Sequence, residues 1–175
     1  MSNTEVILVD ERDNPIGEME KFEAHRLGRL HRAFSVFIFN NAGEMLLQQR
    51  AFSKYHSGGL WTNACCSHPS PGEEVSAAAL RRLSEEMGFT TPLEKVFHFI
   101  YRTEFGNGLI EYEFDHVFAG VYDGDVKFNP DEVADFDFKP MHEIETLLSN
   151  SPEEFTEWFK IAFSGIRDYH ISSHH

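Results

Sequence analysis

Only two cysteines occur among the 175 residues, and they are neighbours at Cys65 and Cys66. Adjacent cysteines cannot form an ordinary stabilising disulfide, so we expect the fold to be held by its core alone. The sequence also lacks an apolar run long enough to span a bilayer, and its N-terminus lacks the residue order of a signal peptide. We therefore expect a cytoplasmic protein with no membrane partner.

Basic residues are also scarce. Lysine and arginine together number 15, against 29 aspartates and glutamates, and the formal net charge is −14. Nucleic acids and anionic membranes are bound through a basic face, so this balance argues against either partner. A small anionic substrate stays compatible with the sequence if metal ions and a few well-placed cations dominate locally.

Linkers, repeats and low-complexity tracts are missing as well, which indicates a single domain over residues 1–175. With 41% hydrophobic residues, a chain of this length can bury a substantial core. The last residues, from about 170 to His174 and His175, are expected to be a disordered tail or a tag remnant.

Hydrophobic periodicity predicts strands alternating with a few helices. The predicted strands cover residues 6–9, 33–40, 45–50, 96–103, 110–121 and 136–139. The predicted helices cover the segment from about 71 to Gly88, then 141–148 and 152–163. Strands around one central helix, with helices at the end of the chain, predict an α+β fold arranged as an α/β/α sandwich.

Segment 62–88 combines a thiol, an imidazole and an altered phosphate-chemistry helix. Its end resembles the signature of the Nudix hydrolases, Gly-x5-Glu-x7-Arg-Glu-x-x-Glu-Glu-x-Gly. Counted back from Gly88, Ser67 stands at the first glycine and Arg82 at the glutamate after the arginine. One carboxylate of the hydrolase metal cluster is therefore a cation, so the frame is kept while the chemistry has changed.

Two carboxylates alternate in a strand at Glu111 and Glu113, and Asp115 continues the same face. Carboxylates so close together on an apolar strand repel each other unless a cation lies between them. A solvent-facing edge strand is the alternative interpretation.

Three histidines accompany this pair: His25, His31 and His68. A single histidine is more often a surface or core residue than a ligand. Together with the two glutamates, however, the three imidazoles form a nitrogen and oxygen set that suits Mn²⁺ or Zn²⁺.

The two cysteines are expected to differ. Cys66 lies two residues before His68 and shares its face if the segment is extended, whereas Cys65 points the other way and packs in the core. In the following helix Arg82 and Glu86 continue a row that starts apolar and ends charged. A plain surface ion pair between them would explain that row equally well.

With these residues in view, the chain resembles the type I isopentenyl-diphosphate isomerases. The likeness runs from about Val6 to Trp158, and it is most specific in segments 30–35, 61–69 and 111–113. It implies a Nudix-like sandwich of mixed sheets with a Nudix-type helix, acting as a monomer.

The resemblance also implies residue roles. One divalent ion, Mn²⁺ or Zn²⁺, would be held by His25, His31, His68, Glu111 and Glu113. The acid/base pair would be Cys66 and Glu113, with Tyr101 bonded to the catalytic carboxylate and Trp158 facing a cationic intermediate. A Mg²⁺ on the substrate's diphosphate would be held by Glu86 and the main-chain carbonyl of Cys66. The surrounding cations would be Lys21, Arg50, Lys54 and Arg82.

The implied reaction moves a double bond, converting isopentenyl diphosphate into dimethylallyl diphosphate through a tertiary carbocation in isoprenoid biosynthesis. We expect Glu113 to deliver the first proton and Cys66, as thiolate, to remove the second, with the roles exchanged in the reverse direction. A Nudix pyrophosphohydrolase is the leading alternative. A thiol hydrolase using Cys66 and a non-catalytic metal-binding domain are the others.

Overall fold

A computed structural model describes residues 4–173. Within this range the strands are β1 (Glu5–Val9), β2 (Pro15–Glu20), β3 (His31–Phe39), β4 (Met45–Arg50), β5 (Trp61–Thr62), β6 (Cys65–Ser67), β7 (Glu94–Glu104), β8 (Ile110–Val121) and β9 (Val133–Lys139). The helices are α1 (Lys21–Leu27), α2 (Val75–Met87), α3 (Met141–Asn150) and α4 (Glu157–Ser173), with a short 3-10 turn at Pro152–Glu154.

Strand β3 organises the mixed sheet. It pairs in parallel with β8, from His31 opposite Glu113 to Phe39 opposite Val121. It also pairs antiparallel with β1, β4 and β6. Strand β7 continues the sheet beyond β8, and β9 pairs with β4. The carboxylates of β8 and the two cysteines of β6 therefore lie beside the same strand, β3.

Helices cover both faces of this sheet. Phe34, Val36 and Ile38 of β3 pack in one cluster with α2, while Phe37 and Phe39 pack in another with α4. Because successive side chains of a strand point to opposite faces, a strand buried on both sides is apolar along nearly its whole length. The expected α+β sandwich with a Nudix-type helix is confirmed.

The pattern of hydrophobic residues does not predict β2 and α1, which lie between the first strand and His31. Strand β2 has mostly exposed side chains and contains Pro15 and Gly17, so it carries no apolar alternation. Helix α1 has only seven residues; the side chain of Glu20 caps its start and Gly28, at φ 69°, ends it. Capping of this kind gives little signal in a hydrophobicity pattern.

The C-terminal end differs from expectation. Residues 170–173 form the last turn of α4, where the sequence predicts a disordered tail or a tag remnant. The ring of His170 stacks on Phe39 with centroids 4.4 Å apart, and the hydroxyl of Tyr169 donates to Glu94. These contacts hold the turn against the sheet. His174 and His175 lie outside the described residues.

Across residues 4–173, none of the helices combines the length and the apolar character that a membrane crossing requires.

Candidate active site

Three carboxylates of β8 share one buried face. Glu111, Glu113 and Asp115 are 4%, 5% and 1% exposed, in the period-two order predicted from the sequence. Strand β8 is paired on both sides, with β3 and β7, so the edge-strand alternative is wrong. Buried charges of one sign need compensating partners.

Imidazoles supply those partners. His31 lies opposite Glu113 in the parallel register, and its Nε2 is 3.2 Å from Glu113 Oε2. His68, just after β6, places its Nε2 2.8 Å from the same oxygen. His25 of α1 places its Nε2 3.5 Å from Glu111 Oε2. The five residues expected to hold a metal thus converge in the folded chain.

The donor set fits a divalent ion. His25 Nδ1 donates to the carbonyl of Lys21 (2.8 Å), and His31 Nδ1 donates to the carbonyl of Arg29 (2.9 Å). Because a carbonyl can only accept, the lone pair of each neutral ring is on Nε2, which faces the carboxylates. One ligand atom each from His25, His31, His68 and Glu113 lie within 4.8 Å of one another. Burial lowers the pKa of His68 to about 4, so this ring is neutral near pH 7, as a ligand must be.

Tyr101 links the two glutamates. Its hydroxyl lies 2.5 Å from Glu111 Oε1 and 2.8 Å from Glu113 Oε1. Burial and the two carboxylates raise the pKa of Tyr101, so the phenol stays protonated and donates. Burial raises the pKa of Glu113, but the contacts of its Oε2 with the His31 and His68 rings outweigh it and hold that pKa well below its ordinary value.

Cys66 faces this cleft from β6, opposite Ser35 of β3. Its sulfur accepts from Trp158 Nε1 at 2.8 Å and contacts Ser35 Oγ at 3.7 Å, and its S–H donates to Asn63 Oδ1 at 3.2 Å. Burial, followed by the nearby charge of Asp115, raises the pKa of the thiol. Cys65 is fully buried in the core, which confirms the predicted difference between the two cysteines.

Asp115 was noted in the sequence only as an extension of the carboxylate face. Its Oδ2 accepts from Ser35 Oγ at 2.9 Å, while its Oδ1 has no partner among the described residues. Burial and the charge of Glu113 raise the pKa of Asp115 well above its ordinary value. Its Ser35 partner therefore touches both this acid and the thiol.

The opposite end of the cleft is cationic. The expected substrate-binding residues line it together: Lys21, Arg50, Lys54 and Arg82. Glu86 is 5% exposed and accepts from Arg82 (2.7 Å) and from Gln48 (3.1 Å). The Arg82–Glu86 pair is therefore part of the cleft wall, and a plain surface pair does not describe it.

Trp158 joins the two ends. Its indole N–H reaches Cys66, and the Arg50 guanidinium lies 5.2 Å from its ring centroid. Arg50 is held in turn by the carbonyls of Ser57 and His56, both at 3.2 Å. The ring face is thus already oriented toward positive charge.

Two residues that contact side chains of the cleft were not predicted from the sequence: Glu132 and His56. Glu132 forms ion pairs with Lys54 and, at 3.4 Å, with Arg82. His56 places its Nε2 3.4 Å from Glu111 Oε2 and stacks on Phe105. Neither belongs to a recognisable motif, so only the fold could reveal them.

If the active site were chosen by cavity volume alone, a cavity elsewhere in the protein would be chosen instead of this cleft. A cavity of about 750 Å³ is lined by residues such as Asp13, Arg32, Glu73 and His116, against about 70 Å³ for the cleft with the thiol. The larger cavity has neither cysteine in its lining nor any of the expected metal ligands. We assign the chemistry to the smaller cleft, because its groups converge.

Comparison with known proteins gives one consistent result. The NUDIX domain model matches residues 29–159. A curated relative from Pectobacterium atrosepticum, named isopentenyl-diphosphate Delta-isomerase, is 54% identical over 97% of this chain and 94% of its own length. A second from Photorhabdus laumondii, named isopentenyl-diphosphate Delta-isomerase 2, is 52% identical over 92% and 91%.

Solved structures agree on the fold. A protein of Deinococcus radiodurans superposes with a TM-score of 0.71 at 20% identity, covering 84% of this chain and 90% of its own. A MutT protein from Methanosarcina mazei gives 0.64 at 20% identity, covering 80% and 95%. At this identity the likeness concerns the fold alone.

Proposed function

The chain belongs to the isopentenyl-diphosphate Delta-isomerases of the Nudix domain family, and from that premise we propose how its residues move the double bond. It interconverts isopentenyl and dimethylallyl diphosphate. An unactivated alkene must take up a proton and a tertiary carbocation must lose one. The observation that carries the assignment to this cleft is the thiol of Cys66 facing the carboxylates of β8 beside a cationic end.

Cys66 and Glu113 form the acid/base pair in this proposal. At neutral pH the raised pKa of Cys66 favours a thiol, and the lowered pKa of Glu113 favours a carboxylate. This resting pattern suits delivery of the first proton by Cys66 and removal of the second by Glu113, the reverse of the order expected from the sequence. The roles exchange when the reaction runs backwards.

The protonation order has its own test. Thiolate absorbance in the ultraviolet, taken as the difference between wild type and C66A, should be absent from pH 7 to 8. A thiolate signal in that range would restore the order expected from the sequence, with Glu113 as the first donor.

Around the carbocation the proposal needs a dry and electron-rich wall. Trp158 supplies it, since an indole face contributes on the order of 2 kcal/mol to a desolvated cation. Its N–H bond to Cys66 keeps the ring beside the reacting carbon. Exclusion of water from the substrate-filled cleft would prevent the cation from being quenched.

The His/Glu cluster can hold a divalent ion, and we propose Mn²⁺ or Zn²⁺ there. The ligands would be His25, His31, His68, Glu111 and Glu113. Such an ion would hold Glu113 in its ionised form and fix its position. Tyr101 keeps the carboxylate oriented from the other side.

We propose that the diphosphate occupies the cationic end and serves only as a handle. Lys21, Arg50, Lys54 and Arg82 would surround it, with a Mg²⁺ between it and Glu86 and the Cys66 carbonyl. Binding energy from this inert group is then available to orient the reacting alkene.

The decisive experiment is proton NMR of isopentenyl diphosphate with the protein and Mg²⁺ in D₂O. We expect new allylic methyl signals, deuterium in the product and no released phosphate. Phosphate release without allylic product would favour a Nudix pyrophosphohydrolase instead. Against that alternative stands Arg82, which replaces a carboxylate of the hydrolase signature and is ion-paired with Glu85 and Glu86.

We further propose a cytoplasmic monomer acting in isoprenoid biosynthesis. Both cysteines are free thiols, and Cys66 must remain reduced to work. Every group of the proposed site comes from a single chain, so no second copy is needed to complete it.

A further inference from the structure

We propose that His56 is a positioning residue that holds Glu111 for the metal by donating a hydrogen bond from Nε2. It lies in the loop between β4 and β5, outside every motif recognised in the sequence. The inference rests on the proposed metal site, because Glu111 is one of its ligands.

The position of the ring is well defined. His56 is 8% exposed and stacks on Phe105, with centroids 4.5 Å apart and planes 11° apart. Tyr55 closes one side edge-on at 4.9 Å. Packed in this way, the ring directs Nε2 to Glu111 Oε2 at 3.4 Å.

The partners of the other ring nitrogens distinguish His56 from the ligands. His25 and His31 each commit Nδ1–H to a backbone carbonyl, which leaves a lone pair on Nε2 for a metal. His56 Nδ1 instead faces the hydroxyl of Ser57 at 3.1 Å. A hydroxyl can donate, so Nδ1 can accept and Nε2 can carry the proton. His56 is therefore suited to donate to a carboxylate.

Glu111 then has a donor at each oxygen. Tyr101 donates to Oε1 at 2.5 Å, and His56 approaches Oε2. A carboxylate restrained at both ends keeps one orientation toward the ion. Loss of such an outer partner lowers metal affinity by about 10–100-fold.

The test uses Co²⁺ affinity, measured by titration calorimetry on the full chain. H56L removes the donor at similar volume, and we expect it to weaken Co²⁺ binding by about 10–100-fold. H56Q can place an amide N–H near the position of Nε2, and it should bind within a few-fold of wild type. The matched control is H142Q, since His142 is exposed on α3 and belongs neither to the cleft lining nor to the His/Glu cluster; its affinity should equal that of wild type.

Co²⁺ NMR separates positioning from direct ligation. Exchangeable imidazole N–H signals with a large contact shift, which requires a direct Co–N bond, come from the metal-bound histidines. Their number should be the same in wild type and H56Q. A signal lost in H56Q would make His56 a ligand and overturn the inference, as would wild-type affinity in H56L.

One more variant separates this inference from the metal site itself. H31L should lose Co²⁺ binding altogether. If H31L loses the metal while H56L keeps wild-type affinity, the metal site stands and the role of His56 falls. If H31L binds as tightly as wild type, the proposed site fails and the inference falls with it. With metal in excess, kcat of H56L should recover, which a misfolded variant would not show.

Discussion

At the scale of single residues, the two adjacent cysteines lie in different environments. Alternation in β6 turns Cys65 into the core and Cys66 toward Trp158 and Asn63. The amide of Asn63 is itself held by the carbonyls of Val36 and Cys65, both at 2.9 Å, so its oxygen must face the thiol. Chemistry at this position therefore depends on direction as much as on residue type.

Replacement of Cys66 by alanine should abolish turnover while leaving the fold intact. An acid/base group contributes roughly 10²–10⁴-fold to a rate, and E113Q should show a comparable loss. The isomerisation rate measured by NMR, beside the circular dichroism of each variant, checks this. Substantial activity in either variant would contradict the acid/base assignment.

Cys65→Ser is the matched control within the same dipeptide. It should keep much of the activity, because its side chain has no route to the substrate, although a buried hydroxyl will cost some stability. Equal loss in C65S and C66A would mean that the wrong cysteine has been assigned.

At the scale of secondary-structure elements, the end of α2 shows how a helix is tied to the site. Gly88 adopts φ 78°, and a Cβ there would collide with the carbonyl oxygen of Lys127. Behind this close approach, Lys127 N donates to the carbonyl of Met87 and Asn129 N to that of Glu86. Segment 127–129 thus leads directly to Glu132 beside the cationic end.

Gly88→Ala should destabilise the protein by at least about 2 kcal/mol more than Gly72→Ala. Both glycines have positive φ, so both substitutions carry backbone strain, but nothing lies within 4 Å of a Cβ at Gly72. The difference in the free energy of unfolding, from urea titrations, isolates the collision. Equal values for the two variants would show that the Lys127 contact yields easily.

How far the sequence predicts the structure also depends on the kind of element. Strands β3 and β8 follow from their apolar or alternating side chains, and α2 from its glycine end. By contrast β2 and α1 are exposed or short, and they form through pairing with β1 and capping by Glu20. Tertiary context makes these elements, and a one-dimensional pattern does not contain it.

The candidate site divides in the same way. Residues within specific segments, such as His31, Cys66 and Glu113, are predicted because those segments carry the resemblance to the isomerases and its implied roles. His56 and Glu132 lie in loops. The partner of each, Glu111 for His56 and Lys54 for Glu132, is more than 50 residues away in the chain. No spacing rule connects such pairs.

At the scale of the whole molecule, stability should fall below neutral pH through His116. Burial and the charge of Lys95 lower its pKa to about 4 in the folded state, against about 6.5 when unfolded. The folded protein thus favours the neutral ring, and this stabilisation is full above pH 6.5 and lost as the pH falls toward 4.

We expect H116Q to lose about 1–2 kcal/mol less stability than wild type between pH 7 and pH 5. Glutamine can still donate to Asp13, which His116 contacts at 3.0 Å, so the variant should fold. Urea unfolding at pH 7 and pH 5 measures how much the free energy of unfolding falls in each protein. An equal fall in wild type and H116Q would show that His116 has an ordinary pKa in the folded protein.

Glu132 affects the whole molecule by neutralising cations that the substrate is proposed to need. In E132Q, Lys54 and Arg82 lose an ion-pair partner, so we expect lower stability but tighter binding of inorganic pyrophosphate with Mg²⁺. Thermal unfolding measures the expected loss of stability, and titration calorimetry on the same samples measures the expected gain in pyrophosphate affinity. Weaker pyrophosphate binding would instead indicate that Glu132 helps to hold the anion.

The parallel and antiparallel neighbours of β3 also decide where this chain can change length. His31 pairs with Glu113 of β8 and Ser35 pairs with Cys66 of β6, so three residues of a single strand lie between the position beside the metal cluster and the position beside the thiol. One residue inserted between them would turn every later side chain to the opposite face. The turn between β3 and β4 lies beyond this stretch, so a change of length there leaves both pairings in register. Insertions and deletions in its relatives should therefore collect in turns like this one, while the stretch from 31 to 35 keeps its length.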